Sequence, residues 1–116
     1  MKISEVLKAV QGRMVTGSAD GRQTTDVHFG FSSDLMSDVL TVAVDGVLLI
    51  TGLAAIQTIR TAIVADISAI LFVRNKPVTD DMKRLAEENG MILIECGTSM
   101  FNASALLHAR GLMPVY

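Results

Sequence analysis

Val47-Leu48-Leu49-Ile50-Thr51, Ala69-Ile70-Leu71-Phe72-Val73 and Met91-Ile92-Leu93-Ile94-Glu95 are apolar runs that begin at positions 47, 69 and 91, an even step of 22 residues. Each has strand length, and a run without polar alternation is what a strand buried on both faces requires. The segments between them carry helical marks. Ile56, Ile59 and Ile63 recur at helical spacing between the first two runs. Between the second and third, Thr79 stands before Asp80 and Asp81, a capping hydroxyl followed by two anions where the helix dipole favours them. Met82, Leu85 and Ala86 supply the inner face of that helix, and Gly90 is its stop. After the third run Ser99 caps a last helix through Met100, Ala103 and Leu107 to Gly111. Three strand–helix alternations predict an α/β domain with parallel strands joined by right-handed crossovers.

Outward from this frame, towards the N-terminus, the marks are shorter. Ser4 is expected to cap a helix with Val6, Leu7 and Val10 on one face, ending near Gly12. Residues 14–16 and 26–29 read as brief strands on either side of a turn-rich loop at 17–21. Ser32 or Ser33 before Asp34 is a helix-start pattern, with Leu35, Val39 and Leu40 apolar. Asp34 and Asp38 would then share another side of that helix, one turn apart. Asp45-Gly46 marks a turn.

At 116 residues the chain is read as a single domain, 1–116. Half its residues are hydrophobic and mean hydropathy is +0.45, high for so small a soluble chain. A domain of this size leaves much of its surface in water, so surplus apolar area predicts a homodimer. A membrane span is not expected, because Thr51, Gly52 and Asp66 interrupt the runs well short of the roughly 20 residues needed. Glu5 stands where a signal peptide has its apolar core, which points to a cytoplasmic protein. The single cysteine, Cys96, forms no internal disulfide and suits a reducing compartment. Ten Lys and Arg against twelve Asp and Glu, with no basic cluster, speak against nucleic acid as a partner.

Neither G-x-x-x-x-G-K-[ST] nor G-x-G-x-x-G occurs, so no kinase or ATPase chemistry of those types is expected. His28 and His108 are the only histidines, no Cys/His spacing suits a metal, and no cofactor is anticipated. Cys96 follows a strand near a helix start, a setting that can lower a thiol pKa. Free cysteine is also among the most buried residue types, so a structural role is the preferred reading. A minor thiol-dependent enzyme is the remote alternative.

Parallel strands place their carboxyl ends and the next helix N-termini on one edge, where open α/β sheets take ligands. That edge carries Thr51 and Gly52, then Arg74, Asn75 and Lys76, then Cys96, Gly97, Thr98 and Ser99. Thr98 and Ser99 can receive a small anion through hydroxyls and free N–H groups, with Arg74 and Lys76 as counter-charges. Plain N-capping is the simpler role for Thr98 and Ser99, and solvation for Arg74 and Lys76. Tentative ligand contacts are therefore Thr51, Gly52, Arg74, Lys76, Thr98 and Ser99. Ser33, Asp34 and Asp38, in the mixed polar and apolar segment 30–40, are assigned to an interface or partner.

That segment, with aspartate, leucine, serine and aspartate at 34, 35, 37 and 38, followed by Val47-Leu48-Leu49-Ile50-Thr51, resembles the short stand-alone DRTGG-domain proteins. The resemblance runs from the first helix to Ala109-Arg110-Gly111. It implies a three-layer α/β/α fold with a mainly parallel sheet, like the N-terminal domain of HPr kinase/phosphorylase. It also implies an accessory role, since such domains occur appended to phosphotransacetylases and regulatory pyrophosphatases. The naming residues are replaced here: Thr51-Gly52 leads into Leu53-Ala54, and Arg74-Asn75-Lys76 stands where Thr-Gly-Gly belongs. HPr kinases carry their phosphate-binding loop in a separate C-terminal domain, so the resemblance brings no kinase activity with it. The function expected is a non-catalytic regulatory or sensing domain, taking a small anionic metabolite, a nucleotide or a partner protein. A pure interaction or assembly module without a small ligand is the alternative.

Overall fold

A computed structural model describes residues 1–18 and 21–116. The three apolar runs become β3 (Val47–Thr51), β4 (Ala69–Phe72) and β5 (Ile92–Glu95), at the centre of a six-stranded sheet. The sheet is completed by β1 (Arg13–Thr16), β2 (Phe29–Ser32) and β6 (Met113–Pro114), in the order β1-β5-β4-β3-β2-β6. All neighbours pair in parallel except β1, which runs antiparallel to β5 at one edge. The helices are α1 (Ile3–Val10), α2 (Met36–Val39), α3 (Ile56–Val64), α4 (Asp80–Glu88) and α5 (Met100–Ala109), with a 3-10 turn at Arg22–Thr24.

The unbroken apolar runs have a direct structural cause. Alternate residues Leu48, Ile50, Leu71, Ile92 and Ile94 face a core with Ile3, Val6, Ala103 and Leu107 of α1 and α5. The intervening Leu49, Ile70, Phe72 and Leu93 face a second core with Val39, Ile59, Met82 and Ala86 of α2, α3 and α4. Helices on both faces demand apolar residues at both parities, and the result is the expected three-layer α/β/α arrangement.

Thr79 and Ser99 cap α4 and α5, accepting the backbone N–H groups of Met82 and Asn102. Gly90 and Gly111 follow the ends of those helices in left-handed conformation, at φ 65° and 108°. In α3 the buried residues are Thr58, Ile59 and Ala62, while Ile63 lies at the surface.

The N-terminal half departs from expectation in several places. Ser4 lies inside α1. The cap is Lys2, whose backbone N–H donates to the Glu5 carboxylate at 3.1 Å. The strand expected at 26–29 begins at Phe29, because Phe29 to Ser32 pair in register with Val47 to Ile50. The Asp26 backbone forms an isolated antiparallel bridge with Lys2, outside any strand.

The helix expected from Asp34 is a single turn beginning at Met36. Met36 and Val39 are buried, whereas Leu35 and Leu40 face solvent. Asp34 therefore precedes the helix, and the expected shared face with Asp38 does not form. In the 17–21 loop, Gly17 and Gly21 take positive φ, and Ala19 and Asp20 lie outside the described residues. β6 has no counterpart in the sequence reading. Leu112, just before it, packs so closely on Gly30 that a Cβ there would sit 2.9 Å from a Leu112 methyl. Among the described residues no helix is long and apolar enough to cross a membrane.

Candidate functional site

The carboxyl ends of β2, β3, β4 and β5 meet on one rim. Leaving β2, Ser33 donates its N–H to the Ile50 carbonyl at 3.0 Å, prolonging the β2–β3 ladder by one bond. Its Oγ then accepts the Leu35 N–H at 3.0 Å, a local turn that projects Asp34 across the end of β3. Asp34 Oδ1 accepts two bonds there, from the Thr51 hydroxyl at 2.9 Å and the Gly52 N–H at 2.7 Å. The Thr51 Oγ in turn accepts the Leu53 N–H at 3.1 Å. Thr51 is wholly buried, while the Asp34 side chain is 46% exposed.

Arg74 closes this cluster. One guanidinium nitrogen lies 3.6 Å from Asp34 Oδ2, and the group rests on the Gly52 backbone so closely that a Cβ at 52 would run into it. Arg74 and Asn75 both occupy the left-handed region, at φ 63° and 56°. Two successive non-glycine residues there are costly, and such strain gathers at functional sites. Two long-range bonds hold the turn: Arg74 N–H to the Thr98 carbonyl at 2.8 Å, and Asn75 N–H to the Cys96 carbonyl at 3.0 Å.

The remaining rim residues are placed differently. Ser99 Oγ accepts the Asn102 N–H at 3.1 Å, and Thr98 Oγ accepts from the Asn102 amide at 2.7 Å, so both hydroxyls serve the start of α5. The Arg74 side chain turns towards β3 and Asp34. Lys76 instead borders a separate hollow of about 270 Å³ with Gln11, Arg13, Glu95 and Cys96. The two cations therefore flank the rim on opposite sides.

In the Lys76 hollow, Glu95 accepts the Val78 N–H at 2.7 Å and pairs with Arg13. Burial works to raise the Glu95 pKa, but the Val78 N–H and Arg13 together hold it below the ordinary carboxylate value. Cys96 is buried, and that burial pushes its thiol pKa up against a smaller opposing effect of the Thr98 backbone. That direction is opposite to the lowered pKa its helix-start position could bring, because desolvation outweighs the Thr98 backbone hydrogen bond.

Asp38 lies exposed on α2, and among the described residues its carboxylate has no partner. His108 Nδ1 sits 3.0 Å from the Leu112 carbonyl just beyond α5. Sequence reasoning missed a hollow of about 430 Å³ between β2, α5 and the C-terminal residues, lined by Gly30, Phe31, Ile50, Ser104, Leu112 and Tyr116 among others. Its one legible sign was Gly30 inside a strand, where a missing side chain marks close approach of another segment.

The fold and rim together define a class: a doubly covered, mainly parallel α/β domain with its polar cluster where such sheets take ligands. The crystal structure of the CBS and DRTGG domains of the regulatory region of Clostridium perfringens pyrophosphatase, complexed with its activator diadenosine tetraphosphate, is similar to it. The match has a TM-score of 0.75 over 98% of this chain, at 15% sequence identity. This chain spans about half of that one, 48% of its length. The likeness supports the DRTGG-type α/β fold. No family model matches the sequence, and no curated protein matches it.

Proposed function

We propose that this chain is a non-catalytic regulatory or sensing domain that acts as a homodimer and binds a small anionic metabolite or nucleotide at the carboxyl ends of its parallel strands. One observation carries the reading: the half-exposed Arg74 guanidinium laid against the Gly52 backbone, on the rim that also gathers Thr51, Thr98 and Ser99. A planar cation on a glycine backbone offers several N–H donors to an incoming anion, with no side chain at position 52 between them. Lys76 adds positive charge further along. The similar pyrophosphatase regulatory region was solved with a nucleotide activator, which supports the ligand class. The relation to the N-terminal domain of HPr kinase/phosphorylase and the cytoplasmic setting belong to the same proposal.

The non-catalytic reading is supported by a sequence without a phosphate-binding loop or a Cys/His or Ser/His constellation, and by the placement of its thiol. Cys96 is the chain's only cysteine, and it is buried with a raised pKa. The homodimer rests on apolar groups left in water, Phe101 at 85% exposure and Tyr116 at 89% the most prominent.

A thermal-shift screen against nucleotides and phosphorylated metabolites tests the ligand. A true ligand at 100 times its Kd adds about 2.7 kcal/mol, and Arg74→Ala should abolish the gain. Sedimentation equilibrium tests the dimer, which a 12.4 kDa monomer at micromolar concentration would refute. A second reading, an interaction module without a small ligand, is favoured by Leu35, Leu40 and Val44. They stand exposed beside Ser33, Asp34 and Asp38, where a partner protein would dock. No stabilisation by any small anion, together with capture of a partner lost on Leu35→Ser, would favour it.

A further inference from the structure

We infer that Asp34 occupies the seat of the anion in the free protein: the Thr51 hydroxyl, the Gly52 N–H and the Arg74 guanidinium form a cradle for a phosphate-type oxyanion, which binds when Asp34 swings out. The inference rests on the reading above and deepens it.

The donor geometry comes first. Two donors converge on one Asp34 oxygen, at 2.9 Å and 2.7 Å, and a cation faces the other at 3.6 Å. A phosphate oxygen presents the same acceptor surface as a carboxylate oxygen, and a dianion outweighs a single carboxylate beside a guanidinium.

The two sides of the cluster are unequally anchored. Thr51 and Gly52 end a central strand and are buried, so their donors stay where they are. Asp34 comes from an exposed turn ahead of a one-turn helix, with its side chain 46% in solvent. The carboxylate is the part that can leave, and the donors are the part that then need a replacement acceptor. While Asp34 is seated, its charge repels a second anion. Its release also gives binding an output, because Asp34 is continuous with Leu35 and Leu40, at 58% and 54% exposure. Moving that turn re-poses an apolar surface.

The test uses the full chain, with inorganic phosphate and pyrophosphate as probes and the Gly52 amide followed by NMR titration. Asp34→Ala should bind phosphate about tenfold more tightly than wild type, the scale of one unfavourable charge contact at this exposure. The Gly52 amide should shift on binding, and adding Arg74→Ala should remove the gain. Should Asp34→Ala fold poorly, Asp34→Asn keeps an oxygen for both donors without the charge and carries the same expectation in smaller measure. Unchanged or weaker phosphate affinity in a folded Asp34 variant overturns the inference. Nucleotide stabilisation of wild type with the Gly52 amide unmoved overturns the seat but leaves the sensing role standing. Tight phosphate binding by Asp34→Ala at Gly52, with no ligand that stabilises wild type, supports the seat and overturns the sensing role.

Discussion

Glu95 and Asp34 are built from the same parts. Each accepts a backbone N–H at 2.7 Å, from Val78 in one case and Gly52 in the other, and each faces an arginine, Arg13 or Arg74. They differ in tether and burial. Glu95 extends from the end of β5 with its side chain 13% exposed, whereas Asp34 hangs from a surface turn at 46%. In the first, water cannot readily replace a lost partner, so the carboxylate is a structural fixture. In the second, water can, and the contact is weak enough to be exchanged for a ligand. Similar chemistry on one rim thus gives one cluster suited to holding the fold and one suited to responding.

The largest effect should come from Glu95→Ala, which leaves the Val78 N–H without its acceptor. We expect a loss of about 1–3 kcal/mol in urea denaturation. A loss no greater than that of Asp34→Ala would erase the contrast between the two sites.

Acid should act on the same cluster. The folded pKa of Glu95 lies below its ordinary value, so its stabilisation is fully present above the unfolded pKa, near 4.3 for glutamate. It is lost as pH falls from there through the folded value. Denaturation curves at stepped pH should show that acid limb in wild type and a flatter one in Glu95→Gln.

Asp34→Ala comes next, at about 1 kcal/mol or less, since half-exposed donors regain water. Gly52→Ala should change stability by only about 0.5 kcal/mol, because the new methyl meets the far end of a flexible arginine. It should still displace the guanidinium and remove any anion response. Asp38, a third carboxylate with no partner among the described residues, supplies the baseline. Asp38→Asn should leave melting temperature and dimer constant unchanged within about 0.5 kcal/mol. A larger shift, above all in the dimer constant, would support the interface role assigned to Asp38 from the sequence.

The parts of the fold legible in advance are those whose signal is local or continuous. A strand buried on both faces writes an unbroken apolar run, and β3, β4 and β5 fall within a residue of their expected bounds. Caps are likewise local, since the Thr79 and Ser99 hydroxyls reach N–H groups only three residues on. The parallel order of those strands is enough to put Thr51, Gly52, Arg74, Lys76, Thr98 and Ser99 on one rim. α2 was misplaced because a single turn has no periodicity to read. Its phase depends on how Ser33 leaves the sheet, and that puts Met36 rather than Leu35 into the core.

What tertiary structure alone decided is which rim residues face one another. Asp34 meets Thr51 and Gly52 across 17 and 18 residues of chain, and β1 pairs with β5 between Arg13 and Glu95. Nothing in the local sequence distinguishes Arg74, turned towards Asp34, from Lys76 two residues later, which borders the Glu95 hollow. Such partnerships depend on the register of strands and on consecutive left-handed residues at 74 and 75. That backbone choice is stabilised by bonds to Cys96 and Thr98, more than twenty positions downstream, which exist only once β4 and β5 lie side by side. Apolar periodicity was sufficient to specify the layers, because burial is summed over many residues. The site depends on a few directed bonds between distant residues, and their directions follow from the assembled sheet.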